Sequence, residues 1–356
     1  MWAVNMGAMN ARFRTALPAT LLACALVFLS ACAELGEPDL GAAPGDVAQP
    51  AIDIADAPAK AEGDASTVST IPAFMPERPS GYVPELLVSS ADSVGLLTAG
   101  TIKPLTFAAV DTGATLALDD FFGGVVIDAP GGGTLWFAEE SDAGITIGDG
   151  GDRLLDVGFS GSSVALFATS PREIVSYDLV SGNREAFATF ADTESVLDLT
   201  SGGGLFVVAL ADEACGQLAF RNSSGEPVSL RAPQVSDCPV LKLPSFTHVA
   251  TTPSGDFYAY TQVSYRSDGV IELTEAVVTE TATGSTIRFP IAGVSEEVTS
   301  LTFDGTRIGF TRETERPTEV VVIDIAKPDQ PKVVVAPDAA AVRFARIPLR
   351  VGGVNE

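Results

Sequence analysis

Asp149 and Asp152 stand in "GDGGDRLLD", residues 148–156, where carboxylates alternate with glycines. Carboxylate oxygens presented by a tight turn suit Ca²⁺, a hard cation that takes several such ligands. The segment is no EF-hand loop, because the Asp spacing is wrong and no glutamate closes it. It also lacks the repetition of a Ca²⁺-binding β-roll. A plain Gly/Asp hairpin turn is the bland reading, and a Ca²⁺ site at Asp149 and Asp152 the sharper one. Two further acidic pairs, Glu139-Glu140 after "TLWFA" and Glu296-Glu297 before "VTSL", read as solvated strand ends rather than an acid–base couple.

His248 is the only histidine in 356 residues, which narrows the available chemistry. One imidazole and two spare cysteines cannot supply an ordinary zinc ligand set. A Ser-His-Asp triad would have to use His248, and no "GxSxG" elbow occurs to carry the serine. Between Thr247 and Val249, in an expected strand, His248 reads as a structural group hydrogen-bonded near the core. No phosphate-cradling loop with Lys-Ser or Lys-Thr is present. Trp136 alternates with apolar neighbours and reads as packing rather than ligand stacking. The "NSS" at 222–224 matches a glycosylation sequon, which alone assigns no function. Spacing therefore assigns no catalytic residue, and the chain reads as non-enzymatic more readily than as an enzyme.

The cysteines are Cys24, Cys32, Cys215 and Cys238. Arg12 and Arg14 precede an apolar stretch over 16–30, short of the roughly 20 residues that span a bilayer and shaped like a secretory signal. Leu29-Ser30-Ala31-Cys32 resembles the bacterial lipobox, with Met9 an alternative start for a more compact basic region. The resemblance implies cleavage after residue 31, a diacylglycerol on the Cys32 thiol and acylation of the new amine. Two or three such chains hold a domain at a bilayer, at about 0.8 kcal/mol per buried methylene. A second match ending at Cys24 would leave "ALVFLSAC" on the mature chain, and an ordinary signal with an incidental cysteine is the bland alternative. Ala33, rather than Asp, follows Cys32; among enteric lipoproteins that implies the outer membrane, periplasmic or surface face open. In an exported chain Cys215 and Cys238 are expected to form a disulfide, two separate thiols being the alternative.

The net charge is −25. Loss of Arg12 and Arg14 with the signal leaves 19 basic against 46 acidic residues, a net of −27. Such a chain does not attract nucleic acid or anionic lipid. Solubility accounts for the charge, and a cationic partner or Ca²⁺ is the sharper explanation. From residue 32 to about 72, Ala, Pro, Gly and Asp dominate without an aromatic residue. Such a segment cannot offset its ordering entropy and is expected to be a disordered tether, with a reach of about 35 Å.

Residues 73–356 change character. Short runs of Val, Ile, Leu, Thr and Phe alternate with Gly, Ser, Asp and Pro, a strand-and-turn pattern without a sustained helical period. An apolar–turn–apolar unit recurs as "VVIDAPGGGTLWFA" at 125–138, "LLDVGFSGSSVALFA" at 154–168, "VLDLTSGGGLFVVAL" at 196–210, "THVATTPSGDFYAYT" at 247–261 and "TSLTFDGTRIGFT" at 299–311. "LLVSSADSVGLLT" at 86–98 is a plausible first copy, and a second type of hairpin follows most copies, as at 107–118 and 174–187. Four strands recurring about every 30–50 residues is how a propeller blade is written.

The body resembles the bacterial propellers grouped as TolB-type or WD40-like, without the Gly-His and Trp-Asp signatures of WD40 repeats. The fold expected is all-β, a β-propeller of six blades with first strands near 86, 125, 154, 197, 248 and 299. The unit at 125–153 looks short of a fourth strand. The run "AVRFARIPL" at 341–349 either closes the ring on the first blade or begins a seventh. Tandem β-sandwiches are the competing architecture. The function expected is a lipid-anchored envelope protein whose propeller binds or scaffolds another envelope protein, without a cofactor. The alternatives are a Ca²⁺-dependent propeller enzyme, lactonase-like or glycoside-processing, and a surface adhesin or sugar binder.

Overall fold

The computed structural model describes residues 83–90, 93–105, 115–119, 124–129, 133–138, 144–159, 163–212, 216–231, 233, 243–314, 318–345 and 349. The signal, the lipobox and the tether expected over 1–72 lie outside these residues. The described secondary structure is strand throughout, apart from turns and bridges. No described helix is long and apolar enough to cross a membrane.

Twenty-three strands form six antiparallel sheets. Blade 2 runs β4 (Thr115–Asp119), β5 (Gly124–Ala129), β6 (Gly133–Phe137) and β7 (Ile145–Ile147). Blade 3 runs β8 (Arg153–Phe159), β9 (Ser163–Ser170), β10 (Glu173–Asp178) and β11 (Arg184–Thr189). Blade 4 has three described strands, β12 (Ser195–Gly202), β13 (Leu205–Ala211) and β14 (Gln217–Arg221). Blade 5 runs β15 (Phe246–Thr251), β16 (Phe257–Tyr265), β17 (Ile271–Glu280) and β18 (Thr286–Ala292). Blade 6 runs β19 (Glu297–Phe303), β20 (Arg307–Glu313), β21 (Glu319–Asp324) and β22 (Lys332–Val335). Blade 1 takes β1 (Leu86–Ser90), β2 (Val94–Thr98) and β3 (Thr101–Pro104) from the start of the body and β23 (Ala339–Phe344) from its end.

That composite sheet closes the ring. β23 pairs antiparallel with β1, from Leu86 opposite Phe344 to Ser90 opposite Ala339. The first strand of each sheet order, β23, β4, β8, β12, β15 and β19, touches the next in a cycle of six. The run at 341–349 therefore closes the first blade and begins no seventh.

Side chains explain why the sheets cannot stand alone. Neighbouring residues in a strand point to opposite faces, and the middle strands are apolar on both. Six apolar clusters result, one between each pair of adjacent blades. Val126 and Trp136 of blade 2 meet Leu154 and Phe167 of blade 3, placing Trp136 in packing as expected. Leu155 and Leu166 of blade 3 meet Leu199 and Phe206 of blade 4. Phe220 meets Tyr258 across blades 4 and 5, and Phe257 meets Ile308 across blades 5 and 6. Val320 and Val322 face Val88 and Phe344, and Leu87 faces Ile127, which completes the circuit through blade 1.

The glycine turns are part of this fit. A Cβ on Gly202 would lie 1.9 Å from Thr252 O, so the turns leading out from the axis in blades 4 and 5 interlock by backbone. No larger residue fits there without moving one blade.

Two first strands are corrected. The strand near 86 is β1 and that near 125 is β5, and each stands second from the axis. The inner places belong to β23 and β4. Thr115–Asp119 looks like the far arm of a hairpin at 107–118, yet it heads blade 2 and gives that blade its fourth strand. Local hairpin grammar marks pairing partners but not where one sheet ends. The expectations at 154, 197, 248 and 299 coincide with inner strands β8, β12, β15 and β19.

Phe344 is buried between blades 1 and 6, its amide donates to Thr302 Oγ1 at 3.0 Å, and the Arg307 guanidinium lies 4.6 Å over its ring. Phe344→Ala should lower unfolding stability by about 3–5 kcal/mol, as large-to-small changes in filled cores do. Urea unfolding measures this, and a loss below about 1 kcal/mol would show that the closing strand holds little.

Candidate functional site

The inner strands of blades 3, 4 and 6 share one irregularity. Their pairing registers slip between Leu154 and Asp156, Val196 and Asp198, and Val298 and Ser300. A bulge of this kind re-aims the side chain beside it. Here the re-aimed group is polar and accepts a backbone N–H from the next blade. Ser201 N donates to Asp156 Oδ2 at 3.0 Å, Val249 N to Asp198 Oδ2 at 3.0 Å, and Val342 N to Ser300 Oγ at 3.0 Å.

Blade 5 slips between Phe246 and Val249, and His248 takes the corresponding place. Its Nε2 lies 2.9 Å from Val298 O in blade 6, and its Nδ1 3.8 Å from Asp198 Oδ2 in blade 4. His248 thus ties blade 5 to blade 6 by a hydrogen bond near the core, the structural role expected of it.

Asp156 also reaches across the ring. Its Oδ1 is ion-paired with Arg343 Nη2 on β23, a strand separated from β8 by β4. The pair is nearly sealed, with side-chain exposures of 5% for Asp156 and 13% for Arg343. Five of the six inner strands line the remaining cavity, through Leu118, Asp156, Thr251, Thr302 and Arg343 among others. Its room is about 10 Å³, enough for roughly one water. Among the described residues, the ion pair leaves this part of the axis little open room.

These geometries stand without a recognised sequence relative: no family model and no curated protein matches the chain. A solved structure does, "Crystal structure of TolB from Acinetobacter baumannii", with a TM-score of 0.52 at 11% identity, over 75% of this chain and 68% of that one. The fold is a TolB-like β-propeller. At that identity the likeness speaks for the fold alone.

The TolB-like propeller does not bring the sequence-nominated residues together. Asp149 and Asp152 both pair with Arg184 of β11, Asp152 Oδ2 lying 2.8 Å from Arg184 Nη2. Asp152 Oδ2 also accepts from Asp149 N at 3.2 Å. A cation there would have to displace a guanidinium. Among the described residues no three His, Cys, Asp or Glu side chains gather as a metal site. Glu296 lies 3.6 Å from Arg312 Nη1 and caps Gly293 N at 2.7 Å, so it serves a turn. Asn222 Oδ1 accepts from Ser224 N and Glu226 N, closing the 222–226 turn. Cys32, Cys215, Cys238, Glu139 and Glu140 lie outside the described residues, and no disulfide is found among the described ones.

Asp156 and Arg343 were not apparent from spacing, 187 positions apart. A signal existed: the quoted units carry Asp128, Asp156 and Asp198 after an apolar pair, and Asp128 Oδ2 likewise accepts Leu154 N of the next blade, at 3.3 Å.

Arg343→Met should leave the buried Asp156 carboxylate uncompensated and cost about 3–5 kcal/mol. Adding Asp156→Asn should recover most of that loss. A double variant no more stable than the single one would show that the pair is not what fills the axis.

Tyr260 supplies a pH test. It is fully buried on β16, with Thr279 beside its hydroxyl. Burial pushes its phenol up from 10.0 to about 12, with nearby Arg288 offsetting part of the rise. Below pH 10 the folded and unfolded chains both hold the proton. Above it the unfolded chain releases first, so stability should fall between pH 10 and about 12, by about 2–3 kcal/mol when complete. Tyr260→Phe should flatten that part of the pH–stability curve without loss at neutral pH; a curve unchanged in slope would refute the assignment.

Proposed function

We propose that this chain is a lipid-anchored envelope protein whose propeller is a non-enzymatic platform for another envelope protein. The occupied axis carries the reading. An enzyme built on a propeller axis needs room for substrate and free side chains to act on it, and here Asp156 and Arg343 occupy each other. What remains for recognition is the rim and the loops, which vary while strands hold the frame. The anchor follows from Leu29-Ser30-Ala31-Cys32, with Cys32 the lipidated residue, residues 1–31 the signal and 32–72 the tether. Outer-membrane placement follows from Ala33. The mature excess of acidic residues favours a partner with a basic surface, whose approach it would steer, and disfavours nucleic acid.

Two measurements decide this. The chain expressed in bacterial cells should sediment with membranes and yield a mature Cys32 N-terminus carrying acyl mass, and Cys32→Ser should release it. Crosslinking in those cells should join it to a defined envelope protein. A mature chain without acyl groups removes the anchor. A melting temperature that rises by several degrees with Ca²⁺ and falls with EDTA would instead favour the metal-dependent enzyme. The same mass spectra read Cys215–Cys238, proposed as a disulfide, from a 2 Da difference on reduction (two hydrogens gained).

A further inference from the structure

The rim between blades 4 and 5 is built unlike the other blade interfaces. Blade 5 extends to a fourth strand, β18, whereas the described outer edge of blade 4 is irregular: Arg221 bridges Pro227 and Val228 N donates to Phe220 O at 3.0 Å, without forming a full strand. The inner half of blade 5's face is covered: Tyr258 and Tyr260 pack with Phe220 and Val207 of blade 4. Beyond them a groove of about 480 Å³ opens, with Tyr260 and Thr279 in its wall and Arg231, Thr286 and Arg288 around them. That volume lies in the range of small-molecule sites.

Polarity distinguishes it from a packing defect. Tyr260 Oη and Thr279 Oγ1 are both buried, and beyond their own mutual contact their hydrogen-bonding capacity is unmet among the described residues. Leaving such groups unsatisfied is costly, and native structures seldom do so without water or a ligand to meet them. Two guanidiniums share the same groove. Arg288 uses only Nη1, donating to Gln262 Oε1 at 2.8 Å and Glu275 Oε2 at 3.3 Å. Its Nε and Nη2 have no partner among the described residues. Arg231 has none at all there; its stem runs over Gly284, where a Cβ would stand 3.4 Å from Arg231 Cδ. In a chain of net charge −25, two arginines facing one acid, Glu275, make a local excess of positive charge.

We propose that this groove is a binding site for a carboxylate-bearing ligand. The acid group is held by the open fork of Arg288 and by Arg231, which turns toward it from Gly284. A planar fork offering paired N–H donors matches a carboxylate's two oxygens. The hydroxyls of Tyr260 and Thr279 meet the ligand's next polar group, uncovered as Arg231 moves. The acid belongs either to a free small molecule or to the carboxylate of a peptide segment. The site stands apart from the occupied axis and does not depend on the platform reading.

The full chain, with ¹⁵N-labelled arginine, is titrated with benzoate, with benzamide as its neutral match, and with a short peptide bearing either a free or an amidated C-terminus. Benzoate or the free-acid peptide should shift the Arg231 and Arg288 Nε–H signals and bind at least about tenfold tighter than its neutral counterpart, a difference of about 1.4 kcal/mol. Benzoate binding as tightly as the peptide acid identifies the small-molecule source, and a tenfold preference for the peptide acid identifies the peptide source. Arg231→Ala, at an exposed position, should weaken binding at least about tenfold while leaving the melting temperature unchanged. Thr279→Val should weaken it several-fold at constant fold. The inference is overturned if neither acid shifts those signals, if the neutral partners bind equally well, or if Arg231→Ala binds as the native chain does.

Discussion

Each blade of this propeller is apolar on both faces, and that single constraint organises the rest. A sheet with one greasy face can stop against water on the other. A sheet with two needs a neighbour on each side, and only a closed ring gives every sheet both. Six clusters for six interfaces is the geometric expression of that demand. Closure is also where the demand is hardest to meet, because the first and last sheets lie far apart in sequence. The chain answers by building blade 1 from both ends, with β23 pairing along the whole of β1. Hydrogen bonds across that seam then do for the ring what a hairpin turn does within a blade.

Hydrophobic burial is non-directional, so it does not by itself fix how one blade is rotated against the next. The bulged inner strands supply that direction. Asp156, Asp198 and Ser300 each accept an amide proton from the neighbouring inner strand at 3.0 Å. A slip of one residue would lose the bond and bury an unpaired acceptor, which costs more than the bond contributes. The polar contacts therefore act chiefly as register pins. His248 extends the scheme with a longer side chain, spanning to Val298 O where its neighbours use a carboxylate or hydroxyl.

Much of the ring was legible in the sequence because its signals are local. Alternating apolar runs and Gly/Ser turns mark hairpins within about 15 residues, and the repetition of "LLDVGFSGSSVALFA" and "VLDLTSGGGLFVVAL" announced the blades. Sheet membership was less legible. Thr115–Asp119 reads equally well as the end of one hairpin or the start of the next blade, since its partner β5 lies as near as the arm it was matched with. The axis was the least legible part. Asp156 and Arg343 sit 187 residues apart, and only the recurrence of Asp128, Asp156 and Asp198 after an apolar pair marks the acid, with nothing to point to its arginine. Asp149 and Asp152 show the converse: their glycines and carboxylates resemble a cation loop, but the arginine that satisfies them, Arg184, comes from another strand of blade 3.

The distribution of arginine carries the last step. With acids outnumbering bases by more than two to one, a guanidinium has a carboxylate within reach almost anywhere on the surface. Most described arginines follow that statistic or cap backbone carbonyls. Arg307 pairs with Asp304 and reaches Pro84 O, Arg312 pairs with Glu319, and Arg153 caps the carbonyls of Val196 and Leu197. Such arginines are committed to carboxylates and carbonyls, several of them across blades. Arg231 departs from that pattern beside blade 4, whose described outer edge is the irregular run at 227–230. The described part of the axis is occupied by the Asp156–Arg343 pair, and the guanidinium without a partner among the described residues lies instead in the groove beside that edge.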